Sequence, residues 1–242
     1  MVTMAFAILF YAAAAILALG LAHKIHRYAT VPAPLKIPTT PAPTTAAGVV
    51  LRMVREVVLF ESLFRSNKWI WLFGWTFHAA LVVVLLGHLR YFTEPVWLWV
   101  AWIQPFPKYA AFALIGGLGG LWLRRVVLDR MRYISGLSDH LMLLLLAGIA
   151  VTGLLMRYVE RVDIVGLKAF ALGLVYFDWQ PLPGNPLLLL HLGLVAALMI
   201  VFPFSKLLHA PGVFFSPTRN QIDNPREKRN VTPWAAVPGA RD

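Results

Sequence analysis

Four of the seven histidines in this chain lie in or at the edge of long apolar segments, where an imidazole normally has a partner or a function. His78 and His88 share one such segment, and His191 and His209 bracket another. A haem iron with two protein ligands takes two axial nitrogens, so two histidine pairs on two helices are what two stacked haems need. The pattern predicts a membrane protein that carries two haems b and moves electrons.

The other three histidines are weaker candidates. His23 and His26 follow the first apolar segment among basic residues, as interfacial polar residues do. His140 comes after Ser138 and Asp139, which resemble a helix N-cap and its first turn, and its role stays open. A di-metal carboxylate site is a poor alternative, because the apolar segments lack buried Asp and Glu.

The composition is that of an integral membrane protein, with 59% hydrophobic and only 14% charged residues. The chain has no cysteine, which excludes disulfides, covalently attached c-type haem and iron–sulfur clusters on this chain. Any iron–sulfur centre must therefore lie on a partner. The net charge of +11 is carried by residues that flank apolar segments, so we expect a lipid bilayer and no nucleic acid as partner.

The apolar segments predict an all-α fold with five transmembrane helices, each long enough to cross a hydrocarbon core of about 30 Å. Seventeen Lys and Arg residues fall on one side of these helices and five on the other. This bias places the N-terminus outside and the C-terminus in the cytoplasm of a multi-pass protein of the cell membrane. The predicted spans are about Met4–Ala22, Trp69–Phe92, Pro107–Val127, Ser138–Arg157 and Pro186–Leu208.

The chain divides by composition into four parts. Residues 1–22 form the first transmembrane helix, which we interpret as a retained anchor because its basic residues follow the apolar segment. Residues 23–68 form a cytoplasmic loop with a Pro/Thr-rich segment and an amphipathic helix that lies on the membrane or docks a partner. Residues 69–209 form a four-helix haem-binding domain, and residues 210–242 a cytoplasmic tail that docks rather than folds alone.

The second and fifth spans run in opposite directions, so each histidine of one span pairs with the histidine at the same membrane depth on the other. His78 then faces His209 near the inner surface, and His88 faces His191 near the outer surface. The ten residues from His78 to His88 on the second span give about 15 Å of rise, whereas the eighteen from His191 to His209 on the fifth span give about 27 Å. Helix tilt and a kink at Pro203 would have to absorb this mismatch. Eighteen residues are five whole turns, so both histidines of the fifth span are expected on one face.

Several neighbouring residues could support these groups. Gly87 beside His88 removes a side chain where a macrocycle would press on the backbone, although ordinary helix packing explains it as well. The glycines at 116, 117, 119 and 120 predict close approach of a neighbouring backbone. Arg90 and Arg157 at the outer ends of their spans could neutralise haem propionates or serve as membrane-edge anchors.

The pattern resembles the gamma subunit of respiratory nitrate reductase and its relatives over most of the chain, including the spacings of ten and eighteen residues between the histidines. The resemblance implies that His78 and His209 bind the inner haem b, and His88 and His191 the outer one. It also implies a quinone site beside the outer haem that uses Gly87 and Lys108. On sequence alone, a snorkelling anchor explains Lys108 equally well.

The Pro/Thr-rich loop and the tail resemble the cytochrome b subunit (DsrM type) of the sulfite-reductase-associated membrane complex more than nitrate reductase proper. That branch implies a cytoplasmic iron–sulfur partner resembling heterodisulfide reductase, a second quinone-interacting membrane subunit, and outer cytochrome c and iron–sulfur subunits. The chain would be the quinone-reactive electron-transfer subunit of an oxidoreductase in sulfur metabolism, not a complete enzyme. The alternatives are a gamma subunit of a nitrate reductase or heterodisulfide reductase complex, a histidine-based proton-coupled transporter, and a structural anchor.

Overall fold

The computed structural model describes residues 1–31 and 37–223, and within these ranges the regular secondary structure is entirely helical. Short 3₁₀ turns at Leu89–Tyr91, Phe202–Phe204, Lys206–Leu208 and Val213–Phe215 supplement the α-helices. The α-helices are α1 (Val2–Thr30), α2 (Ala46–Val58), α3 (Glu61–Ser66), α4 (Lys68–His88), α5 (Leu98–Ile103), α6 (Pro107–Val127), α7 (Asp129–Ile134), α8 (Leu137–Tyr158), α9 (Ile164–Tyr176), α10 (Pro186–Val201) and α11 (His209–Gly212).

Five helices in the described part of the chain are long and apolar enough to cross a membrane: α1, α4, α6, α8 and α10, the last with the 3₁₀ turn that follows it. They correspond to the five spans expected from the sequence. The chain is therefore a multi-pass, all-helical membrane protein. The described residues form two compact units, one of residues 1–17 and 66–201, the other of residues 18–31, 37–65 and 202–223.

The membrane helices of the first unit pack in the order α4, α6, α8, α10, each mainly on its neighbour in this row. The α4–α6 contact is the most extensive, and glycine makes it possible. A Cβ on Gly117 would lie 2.8 Å from the Phe73 carbonyl oxygen, and one on Gly120 would lie 2.3 Å from the Phe73 ring. The expected close approach is thus confirmed for these two glycines, whereas Gly116 and Gly119 have open space around them.

The N-terminal half of α1 is held by the segment around α9, a 13-residue apolar helix that the sequence analysis did not anticipate. The Tyr11 hydroxyl donates to the Leu174 carbonyl at 2.9 Å, and the Tyr11 ring stacks on Phe177 at 5.4 Å. The Trp179 indole N–H donates to the same hydroxyl at 3.1 Å. These contacts fasten α1 to the first unit.

The fifth span is shorter than expected, because α10 ends at Val201 and His209 begins a separate short helix. Pro203 has no N–H for the helical ladder, and Ser205 is extended, with φ −109° and ψ 174°. The expectation that five unbroken turns place His191 and His209 on one face is therefore wrong. The break also removes the basis for comparing 27 Å of rise in this span with 15 Å in α4.

The second unit contains α2 and α3 in place of the single amphipathic helix expected there. The helical path is broken at Phe60, whose φ of 52° lies in the left-handed region. The described part of the tail contacts the Pro/Thr-rich segment of this unit. The Thr39 N–H donates to the Thr218 carbonyl at 2.8 Å, and the Asp223 N–H to the Pro43 carbonyl at 2.9 Å. The rest of the predicted tail, 224–242, and part of the Pro/Thr-rich segment, 32–36, lie outside the described residues.

Candidate functional site

His191 on α10 is buried and has its ring orientation fixed by a neighbouring helix. Its Nδ1 lies 2.8 Å from the Thr152 hydroxyl oxygen of α8. That hydroxyl donates its own proton to the Gly148 carbonyl at 2.7 Å, so it accepts from His191. The His191 proton therefore lies on Nδ1, and Nε2 keeps the lone pair that binds metals.

The other three predicted ligands adopt the same tautomer by a different route. In each, Nδ1 lies at hydrogen-bond distance from a backbone carbonyl three or four residues earlier: His78 to Gly74 at 2.7 Å, His88 to Val84 at 2.7 Å, and His209 to Lys206 at 2.8 Å. A carbonyl only accepts, so each Nδ1 must donate. This is the arrangement typical of metal-binding histidines, whose second nitrogen donates to a carbonyl or similar acceptor.

His140 behaves in the opposite way. The Trp122 indole N–H donates to its Nδ1 at 3.1 Å, so this nitrogen carries the lone pair. The Trp122–His140 hydrogen bond joins α6 to α8, which gives His140 a structural role in helix packing.

His88 and His191 both belong to the first unit, on the two end helices of the row α4–α6–α8–α10. Gly153 on α8 faces the His191 ring, and a Cβ there would stand 3.5 Å from the ring Cε1. The structure thus places both histidines of the predicted outer pair in one unit and adds Thr152 and Gly153 beside His191, which the sequence analysis missed.

His78 and His209 lie in different compact units, so the structure describes each in its own surroundings. His78 packs edge-on against the Phe77 ring, with centroids 4.9 Å apart. His209 lines an open cavity of about 850 Å³ in the second unit, whose basic lining residues are Lys24, Arg27 and Lys206. The pairing of His78 with His209 stays a prediction.

The residues predicted for the quinone site converge at the C-terminal end of α4. A Cβ on Gly87 would lie 2.4 Å from Cγ of Pro107, so Gly87 serves the close contact between α4 and the start of α6. Lys108 follows Pro107 directly, and its Nζ lies 4.7 Å from the centre of the Tyr109 ring. The two predicted residues are therefore neighbours, although Gly87 packs on a proline rather than leaving room for a macrocycle.

Gln104 connects this site to Arg90, and the sequence analysis did not single it out. Its Nε2 donates to the Gly87 carbonyl at 3.0 Å, and its Oε1 accepts from the Arg90 guanidinium at 3.2 Å. Gln104 therefore holds the chain on both sides of His88. Arg157, the second residue considered for propionates, is exposed at the end of α8, and no side-chain hydrogen bond or ion pair of Arg157 occurs within residues 1–31 and 37–223.

Apolar membrane helices that carry histidines, each with Nδ1 against a hydrogen-bond acceptor, are typical of one class of protein, the membrane cytochromes b. The chain belongs to the nitrate reductase gamma subunit family, whose model matches residues 45–224.

The relatives at highest coverage are two archaeal proteins, each named "Hdr-like menaquinol oxidoreductase cytochrome b-like subunit". The protein of Archaeoglobus fulgidus is 34% identical, over 93% of this chain and 81% of its own length. The protein of Archaeoglobus profundus is 35% identical, over 94% and 82%. The respiratory nitrate reductase 1 gamma chain of Escherichia coli K12 is 32% identical over 55% of this chain and 67% of its own length. The expected family is confirmed.

Proposed function

We propose that this chain is a di-haem cytochrome b that passes electrons between a quinone near the outer membrane face and a cytoplasmic iron–sulfur partner. The observation that carries the proposal is the common tautomer of His78, His88, His191 and His209. Each donates from Nδ1 and keeps the Nε2 lone pair, whereas His140 does the reverse. The donor set fits a bis-histidine haem.

The outer haem would be held by His88 and His191, and the inner haem by His78 and His209. The outer assignment is supported by the placement of both histidines in one compact unit, on α4 and α10. The inner assignment is supported by the sequence spacing and by the family. When bound, each haem supplies one-electron chemistry at a potential set by its ligands and surroundings.

A quinone would bind near Gly87 and Lys108, where an ammonium group can donate to a quinone carbonyl. The Lys108 carbonyl accepts from the Tyr158 hydroxyl at 3.4 Å, which ties the start of α6 to the end of α8. Arg90, held by Gln104, is the better placed of the two candidates for a haem propionate. We infer that this cluster places the quinone next to the outer haem.

The partners follow from the chemistry that this chain lacks. Because this chain has no cysteine, any iron–sulfur centre that exchanges electrons with it must lie on another subunit. The archaeal relatives are named as subunits of an Hdr-like menaquinol oxidoreductase, which favours menaquinol and a heterodisulfide-reductase-like partner for this chain too. A second membrane subunit, outer cytochrome c and iron–sulfur subunits, and a role in sulfur metabolism complete the proposal.

The experiment is a haem count on the purified chain and its variants. Two haems b per chain are expected in the parent from the pyridine haemochrome, with one lost in His191→Ala. His140→Ala is the matched control and should keep both haems. The Nδ1 of His140 accepts a hydrogen bond from Trp122, whereas the Nδ1 of each proposed haem ligand carries a proton. A colourless parent would favour the transporter or anchor alternatives, and full haem content in His191→Ala would contradict the ligand assignment.

A further inference from the structure

The amphipathic helix α2 has its polar side turned toward its own unit and its apolar side turned outward. Four aliphatic residues at helical spacing, Val50, Leu51, Val54 and Val57, are exposed by 63%, 58%, 51% and 36%. They form one stripe along the helix, because residues three, four and seven apart share a face. We call this set the α2 stripe.

The opposite face of α2 is anchored by the Pro/Thr-rich segment and the tail. Arg52 donates to the Thr39 carbonyl at 3.0 Å. The Glu56 carboxylate pairs with Arg219 of the tail at 2.6 Å and accepts from the Ser62 N–H at 3.3 Å. Since these contacts set the rotation of α2 about its axis, the outward position of the stripe is a defined feature of the unit.

The course of the chain indicates what covers the α2 stripe. The helix lies in sequence between two membrane-spanning helices, α1 and α4, and only nine residues, 59–67, separate it from α4. Trp69 at the start of α4 is 71% exposed, as is typical of an aromatic anchor at a membrane surface. Both ends of the connection are therefore fixed at the same membrane face.

The chemistry of the stripe favours lipid over a protein partner. Protein interfaces are enriched in aromatic residues, Met and Arg at their centre, and the stripe contains only Val and Leu. Arg55 and Arg65 are 48% and 66% exposed nearby and share the single carboxylate of Glu61, so the group keeps a net positive charge that suits anionic headgroups. We propose that the α2 stripe lies in the membrane interface, with α2 in the plane of the bilayer on the side where α1 ends and α4 begins.

The absence of cysteine makes the test direct, because one introduced cysteine is a unique labelling site. Val54→Cys in the stripe and Arg55→Cys on its flank are spin-labelled in the full chain and reconstituted in phosphatidylcholine–phosphatidylglycerol vesicles. Collision rates with oxygen, which enriches in lipid, and with a water-soluble nickel complex are then measured by electron paramagnetic resonance. The ratio of oxygen to nickel collisions is expected to be several-fold higher for the Val54 label than for the Arg55 label.

Two results would overturn the proposal. An oxygen-to-nickel collision ratio for the Val54 label as low as that for the Arg55 label would place the stripe in water. Protection of the Val54 label that appears only after partner subunits are added would assign the stripe to a protein interface. Both variants are first compared with the parent by circular dichroism and size-exclusion chromatography, and Val50→Cys replaces Val54→Cys if the latter is misfolded. Haem binding is not involved in this test, so it is independent of the proposed function.

Discussion

The orientation and tautomer of the His191 ring depend on one hydroxyl group, that of Thr152. Thr152 Oγ1 accepts the Nδ1 proton of His191 while donating to Gly148, so a single side chain fixes both the tautomer and the ring plane. An acceptor on Nδ1 also makes the imidazole a stronger electron donor to a metal on Nε2. Thr152 therefore acts on the proposed outer haem without touching it.

We predict that Thr152→Val weakens retention of the outer haem by about 10–100-fold, the usual cost of losing such a partner. Its midpoint potential should rise, because a less basic imidazole stabilises ferric iron less well. Haem content and a redox titration of the purified chain measure both effects. Thr152→Ser keeps the hydroxyl and should resemble the parent, and an unchanged potential in Thr152→Val would show that the hydrogen bond does not tune the site.

Lys108 is predicted to act on the quinone and not on the haems. A hydrogen bond from a charged donor is worth about 1.5–3 kcal/mol, so Lys108→Ala should lower kcat/KM for a menaquinol analogue by about 10–100-fold. The haem spectrum should be unchanged. Lys168→Ala is the control, because Lys168 lies on α9 and pairs with Glu94 instead. Equal activity in both variants would contradict the quinone role and leave Lys108 as a membrane anchor.

At the scale of helices, the α4–α6 contact depends on which glycines of α6 face α4 and not on how many glycines α6 contains. Gly117→Ala places a Cβ 2.8 Å from the Phe73 carbonyl oxygen and 2.9 Å from the Phe77 nitrogen, both backbone atoms that cannot rotate away. We predict a loss of about 1–3 kcal/mol of stability, seen as a lower Tm by circular dichroism in detergent. Gly116→Ala meets open space and should leave the Tm unchanged or raise it. Similar Tm values for the two variants would refute this view of the interface.

The sequence predicted the membrane helices well because a span needs about 20 apolar residues, a signal that is local and long. It predicted the helix end after Val201 poorly. Pro203 was expected only to kink the span, whereas the chain leaves the helix there and extends at Ser205. Helix α9 was missed because 13 apolar residues are too few for a span and carry no clear periodic pattern.

The candidate site was predictable as a set of residue types but not as a set of contacts. The spacing of the histidines identified four candidates, and the structure gives all four one tautomer. Thr152 and Gln104 were missed because their partners lie 39 and 17 residues away, at His191 and Gly87. Such contacts depend on how helices pack, which no local pattern encodes.

At the scale of the whole molecule, function depends on which face of the membrane each end of the helices occupies. The proposed quinone site lies between the end of α4 and the start of α6, and the proposed iron–sulfur partner is cytoplasmic, so an outside position of this site would require electrons to cross the bilayer. The charge bias of seventeen Lys and Arg to five predicts that the loop after α4 is outside.

We predict that this orientation appears in the labelling of single cysteines by a membrane-impermeant maleimide. Val165→Cys at the start of α9, where the side chain is 76% exposed, should react in intact spheroplasts, because the connection between α8 and α10 is outside. Asp129→Cys at the start of α7, with an 88% exposed side chain, should react only after the membrane is opened. The parent chain has no cysteine and supplies the background. The reverse labelling pattern would invert the topology, and it would place the Lys108 site on the cytoplasmic side, where a quinol would release its protons inward.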